Sequence, residues 1–285
     1  MKIKKAGLVL VTSALVSIGA MVSYAGATGI QGVDAYNTQS QTAGTTTDQT
    51  AGTAVDNSQA AALINGFAAK LNATQNFGVK ETVNMNMSTG TDSMNSVTES
   101  YSIVNGENVH STMNTIEYEN GAVTETKASE FYTIYDGVNY KRYEIASGTV
   151  ANSEVMQTSN IRENYFPIKY HGNETVTIEN GEFVVRGYTT KEDFAGSSAL
   201  NSVENTGDTT YDYLYNMPYE LHFNANGDLT FMQVDMSSLM DTLVSMISAL
   251  YGADAAGLNI SSQLTYMVAF NLDPSQTFAV PYYLN

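Results

Sequence analysis

The chain has 285 residues, 43% of them apolar, no cysteine, and 12 basic against 29 acidic side chains for a formal charge of −17. Disulfide stapling and thiol chemistry are thereby excluded, and stability has to come from burial. A strongly acidic chain with no basic stripe repels phosphate backbones, so nucleic acid is not an expected partner.

The N-terminus reads as an export leader. Lys2, Lys4 and Lys5 precede an uncharged, mostly apolar run from Ala6 to Val22. Small residues then offer signal-peptidase sites after Ala25 or Ala27. Losing the leader takes the charge from −17 to about −20. With no cysteine near the cleavage site, the usual lipid anchor is excluded, and no later stretch is apolar enough for a span. The expected product is a bacterial protein, secreted or at the cell surface, with no stable transmembrane anchor after cleavage.

Residues 28–57 are rich in Thr, Gln, Ala, Gly, Ser and Asp, and the pentapeptide Gln41–Thr45 recurs as Gln49–Thr53. Too few large apolar groups are present to offset ordering entropy, so a disordered spacer is expected. A single folded domain is then expected over 58–285.

Ser58 or Asn57 is placed to cap a helix whose apolar stripe is Leu63, Ile64, Phe67, Ala68 and Leu71. The next segment alternates Phe77, Val79, Val83, Met85 and Met87 with Lys80, Thr82, Asn84, Asn86 and Ser88, the period of a half-buried strand. A second strand sets Val97, Tyr101 and Ile103 against Thr98, Ser100 and Ser102. Further strands are expected near 107–118, 122–135, 138–146, 174–180, 183–190, 209–216, 219–224, 229–235, 258–271 and 276–284. Asn105-Gly106, Asn120-Gly121, Asp136-Gly137, Asn180-Gly181 and Asn226-Gly227 punctuate these runs, each a hairpin signal because Asn or Asp followed by Gly accepts positive φ. The region 147–172 reads as a loop or crossover, and 192–203 as a short helix. A second amphipathic helix is expected over 237–251, with Leu239, Met240, Leu243, Val244, Met246, Ile247 and Leu250 around more than half its girth.

Catalytic and metal signals are sparse. His110, His171 and His222 are scattered, and no zinc-protease, nucleophile-elbow, phosphate-loop or Ser-x-x-Lys pattern occurs. No catalytic residue, metal ligand or cofactor is nominated, and a non-enzymatic role is expected. Asn224-Ala225-Asn226-Gly227-Asp228 has the oxygen spacing of a calcium loop start, but a hairpin turn explains it more simply. Glu81 and Glu99 stand out because each interrupts the apolar side of its strand, which points to a position near a strand end in water or to a hollow open to solvent.

The layout resembles the LolA/LppX-like superfamily of exported bacterial lipid and lipoprotein carriers, in particular its Gram-positive relatives. The likeness rests on the early helix leading into Phe77–Val83, the Phe131–Tyr140 stretch, Tyr219–Phe223 followed by Gly227–Leu229 and Val234–Ser238, and the ending Phe278–Pro281. It implies an α+β fold: a curved antiparallel β-sheet, or half-barrel, with helices packed on the concave side around an apolar cavity. The lining expected is Val83, Met85, Met87, Tyr101, Ile103 and Ile134 from the sheet, with Leu243 and Ile247 from the late helix. An apolar small molecule such as a lipid, acyl chain or lipopeptide is the expected ligand. The competing expectation is a secreted or cell-surface interaction protein with a filled core, no small-molecule ligand and a partner site on the sheet's outer face.

Overall fold

A computed structural model describes residues 53–54, 56–89, 92–156, 160–194, 216–238, 241 and 260–284. Its strands are β1 (Thr53–Ala54), β2 (Asn76–Thr89), β3 (Asp92–Asn105), β4 (Asn108–Glu119), β5 (Ala122–Tyr135), β6 (Tyr140–Ala146), β7 (Thr149–Met156), β8 (Thr175–Glu179), β9 (Glu182–Tyr188), β10 (Pro218–Phe223), β11 (Leu229–Asp235) and β12 (Ile260–Asn271). One helix of sixteen residues, α1 (Ser58–Ala73), precedes β2. The strands form one antiparallel sheet in the order β1-β8-β9-β10-β11-β12-β2-β3-β4-β5-β6-β7.

Hairpins generate most of that order. Asn120-Gly121 and Asn180-Gly181 carry positive φ at both residues, the backbone of a tight two-residue turn whose twist suits its strands. At Asn105-Gly106, Asp136-Gly137 and Asn226-Gly227 only the glycine is left-handed, and the loops differ accordingly. Ser147-Gly148 makes a further two-residue turn of the same hand, between β6 and β7. The Asn224–Asp228 segment is indeed a turn: Asn224 Oδ1 accepts the N–H groups of Asn226 and Asp228, at 2.9 and 3.0 Å.

The half-barrel expectation is not met. The sheet is flat rather than curled, and its two outermost strands, β1 and β7, do not pair with each other. Consequently there is no concave side for helices to roof. The reason lies in register. Phe77, Val79, Glu81, Val83, Met85 and Met87 stand opposite Val104, Ser102, Ser100, Thr98, Ser96 and Met94, whereas Tyr101 stands opposite Lys80 and Ile103 opposite Gly78. Cross-strand partners share a face, so the two apolar rows lie on opposite sides of the sheet. They have no common interior.

The core occupies the face that carries α1. Ala60, Ile64, Phe67 and Leu71 of the helix are buried with Phe77 and Val79, with Leu221 and Phe223, with Met232 and Val234, and with Leu264 and Val268. Phe67 meets Phe166, Phe223 and Phe270 edge-on, with ring centroids 5.0, 6.3 and 5.1 Å away. The expected cap is partly different: Asn57 makes no capping bond, while Asp56 accepts the Ser58 N–H at 2.9 Å. Asn57 Oδ1 instead accepts the Val176 N–H at 3.3 Å, which ties the helix start to β8.

Several segments depart from expectation. Strand β7 runs through a region read as loop, because a register shift between Glu144 and Ile145 inserts Ala151 and breaks the alternation a sequence scan looks for. Residues 276–281 form no strand, and Tyr282–Leu284 is a 3-10 turn. Lys191–Phe194 is a 3-10 turn, and the rest of the helix expected over 192–203 lies outside the described residues. The strand expected near 209–216 and most of the helix expected over 237–251 lie outside the described residues. Thr53 and Ala54, inside the predicted spacer, add to the sheet beside Ile178 and Thr177.

Candidate functional site: the outer face of the sheet

The predicted lining residues separate into three sets. Met85 and Met87 are buried in the core under α1's side of the sheet, with Val83 packed against it. Tyr101, Ile103 and Ile134 are on the opposite, outer face. Leu243 and Ile247 lie outside the described residues. Among the described residues no pocket brings these side chains around a ligand, and the cavity expectation is corrected on that finding.

Register also explains where the polar residues went. Ser100, Ser102 and Ser111 face the core and are buried. Their small size leaves room for Tyr165, whose hydroxyl donates to Ser102 Oγ at 3.0 Å and whose ring meets Phe77 edge-on at 6.1 Å. Val97, Glu99, Tyr101 and Ile103 of β3 are on the opposite, outer side. Glu99 is among them and pairs with Lys80 at 2.9 Å on the outer face. Glu81 points the other way and is fully buried, neither at a wet strand end nor in a solvated hollow.

On the outer face of β2–β6, the side chains form an ordered array. Lys80 sits over the Tyr101 ring at 5.2 Å, and Lys141 over the Tyr143 ring at 5.1 Å. His110 stacks on Tyr132 with centroids 4.4 Å apart and planes inclined by 15°. Glu130 joins this pair, 2.9 Å from His110 Nε2 and accepting from the Tyr132 hydroxyl at 3.1 Å. Burial, then the Glu130 carboxylate, pushes the Tyr132 phenol up to about 12. Part of the array is covered by the C-terminal segment. Phe278, Val280 and Leu284 pack with Tyr132, Ile134, Tyr143 and Ile145 in a second, smaller cluster. Asn105 and Asn76 donate side-chain N–H groups to the Phe278 and Pro274 carbonyls, each at 3.2 Å.

Farther along the same face, β8–β11 carry a charged ladder. Arg186 holds Glu179 with two bonds of 2.6 and 3.0 Å and reaches Glu220 at 2.6 Å. His222 bridges Glu220 and Glu182, at 2.6 and 3.3 Å. The Arg186 bonds hold the Glu179 carboxyl down to about 2. Burial would lower the His222 imidazolium, but the hydrogen bonds that it donates to the Glu220 and Glu182 carboxylates hold it above its usual range.

The remaining histidine belongs to a structural knot. Asp193 accepts from the Lys169 and Thr190 N–H groups at 2.7 and 2.6 Å, and Glu174 accepts from Gly172 and the Tyr219 hydroxyl at 2.8 and 3.1 Å. His171 Nε2 faces both Asp193, at 2.9 Å, and the Thr190 hydroxyl, at 3.3 Å. A hydroxyl-to-carboxylate proton relay needs opposite ring nitrogens, so this arrangement ties loops and does not activate Thr190. No group of three His, Asp or Glu positioned for a metal occurs among the described residues. No helix among them is long and apolar enough to cross a membrane.

No protein-family model matches the chain, and no curated protein is significantly similar to it. The likeness to LolA/LppX-like carriers, drawn from layout and short phrases, therefore has no support from the comparisons, and the flat sheet removes its structural basis. The outer-face array was legible only in part. Tyr101, Ile103 and Ile134 were singled out as apolar, but assigned to the wrong side. His110, Tyr132 and Tyr143 carried no separate signal, because aromatic residues on strands are equally expected as packing.

Proposed function

We propose that this chain is an exported, non-catalytic interaction protein that works at or beyond the cell surface and binds a macromolecular partner through the outer face of its sheet. The observation that carries this reading is the division of labour between faces. The α1 face is filled with packed side chains, while the outer face of β2–β6 presents Tyr101 beside Lys80 and, at the margin of the C-terminal segment, half-buried Tyr143 beside Lys141. Tyrosine suits partner surfaces because its ring buries area at little entropic cost and its hydroxyl still bonds. The basic leader and the absence of cysteine support export.

The test is saturable retention of labelled protein on producing cells. Replacing Tyr101 and Lys141 together with alanine should weaken retention by about tenfold, the loss typical of removing an interface anchor. The conservative core variant Met85→Leu should bind normally. Absence of saturable retention, or lipid co-purifying with the protein in native mass spectrometry, would sink the reading.

A further inference from the structure

We infer that the C-terminal segment from Pro274 to Leu284 is a displaceable strap, which occupies in cis a seat that receives an uncharged segment of a partner protein. This rests on the reading of the chain as an interaction protein and names the kind of segment that its outer face accepts.

The strap follows β12 and touches each strand from β2 to β6. Asn76 and Asn105, which stand opposite each other on β2 and β3, donate to the Pro274 and Phe278 carbonyls. Phe278 then lies against His110 and Tyr132, with ring centroids 5.5 and 6.1 Å away. Val280 and Leu284 pack with Ile134, Tyr143 and Ile145. Gln276, Phe278 and Val280 are half-buried while Thr277 and Ala279 between them are exposed, so alternate side chains are the ones that dock.

The seat is built by the sheet and does not depend on the strap. His110 pairs with Tyr132 and Tyr132 with Tyr143, one row across β4, β5 and β6 held by ladder bonds. The strap has no such ladder. Pro274 and Pro281 bring no N–H, and residues 272–281 form no strand. Among the described residues its own N–H bonds are local: Ser275 and Gln276 donate to Asp273, and Leu284 donates to Pro281. Side-chain contacts and two asparagine amides therefore hold a segment at the end of the chain. It can lift while every strand pairing stays made.

The strap's composition states what the seat accepts. Pro274 to Leu284 contains no acidic or basic residue, in a chain that has 29 acidic ones. Glu130, beside the seat, is already engaged by His110 Nε2 and the Tyr132 hydroxyl. What remains for an occupant is ring faces, aliphatic carbon and two amide donors. That suits a segment with an aromatic side chain, an aliphatic one two positions later, and free backbone carbonyls. A tethered occupant competes at an effective concentration of about millimolar. An outside segment binds more weakly in proportion, and a seat free a tenth of the time costs it about tenfold.

The full chain without its leader is the material to use. The probe is a fluorescein-labelled peptide of the strap's own sequence, Ser275–Leu284, followed by anisotropy. Wild type should bind it saturably. The full-chain variant Phe278→Ser/Val280→Ser, whose strap no longer fills the seat, should bind it at least about tenfold tighter. Leu284→Ala, a milder loosening, should shift affinity the same way, so a poorly folded double variant does not decide the matter. The peptide carrying the same two serines should bind neither chain, and Tyr143→Ala in the loosened chain should cost about tenfold. Equal affinity for wild-type and loosened chains, no binding to either loosened chain, or no binding to wild type at about 1 mM peptide, the scale on which the tether competes, overturns the inference. Cell retention without peptide binding would leave the outer-face function standing while the strap falls. Peptide binding without retention would do the reverse.

Discussion

Glu81 is fully buried in the middle of β2, where Tyr266 donates to its Oε1 at 2.7 Å and Ser100 to its Oε2 at 3.5 Å. Burial pushes its carboxyl well above the usual range, more than the two hydroxyls pull it down. The folded protein therefore keeps a proton that the unfolded chain releases above about pH 4.5. This contribution to stability is complete below that pH and declines as pH rises toward the folded value. Glu81→Gln should consequently raise the unfolding free energy in urea melts at pH 8, by on the order of 1 kcal/mol, and change it little at pH 4. An equal gain at both pH values would show that the side chain is already ionised in the fold. A second residue-scale constraint is Gly187. A Cβ there would come within 2.6 Å of the Tyr219 hydroxyl, whose bond to Glu174 holds the loop knot to β10. Gly187→Ala should cost about 1–3 kcal/mol, seen as a lower Tm, with the backbone itself unstrained.

At the level of elements, the pairing of β2 with β3 matters most. Met85 belongs to the core and Tyr101 to the outer face, although both were read as lining one cavity. Met85→Asp should destabilise by several kcal/mol, because a charge would enter packed apolar surroundings. Tyr101→Asp should cost no more than about 1 kcal/mol. Comparable losses in denaturant melts would mean that the two side chains share an interior after all. Strand β3 was assigned inside out for a physical reason: its Ser and Thr positions are buried because bulky neighbours, Tyr165 above all, need small side chains beneath them. Alternation reports which residues share a face. It does not report which face the rest of the molecule covers.

On the scale of the whole molecule, two layers lean on one open sheet. Helix α1 with residues 160–168 covers one face, and the C-terminal segment covers part of the other. The acidic charge is spread over the surface, with His110, His171 and His222 each set against a carboxylate. His222, held above its usual range, adds stability below about pH 6.5 that fades as pH rises through its folded value, the same direction as Glu81.

The hairpin-rich antiparallel organisation, the early helix and its buried stripe were written in local patterns, because turn chemistry and alternation act between near neighbours in the chain. Asn120-Gly121, Asn180-Gly181 and the Ile64–Phe67–Leu71 stripe needed nothing beyond their own segments. Only the tertiary structure decided that the sheet stays open, that the rows of β2 and β3 face opposite ways, and that Ala151 bulges to make β7 a strand. Those outcomes depend on register and on which face α1 and Tyr165 occupy, and both are set by contacts between residues far apart in sequence.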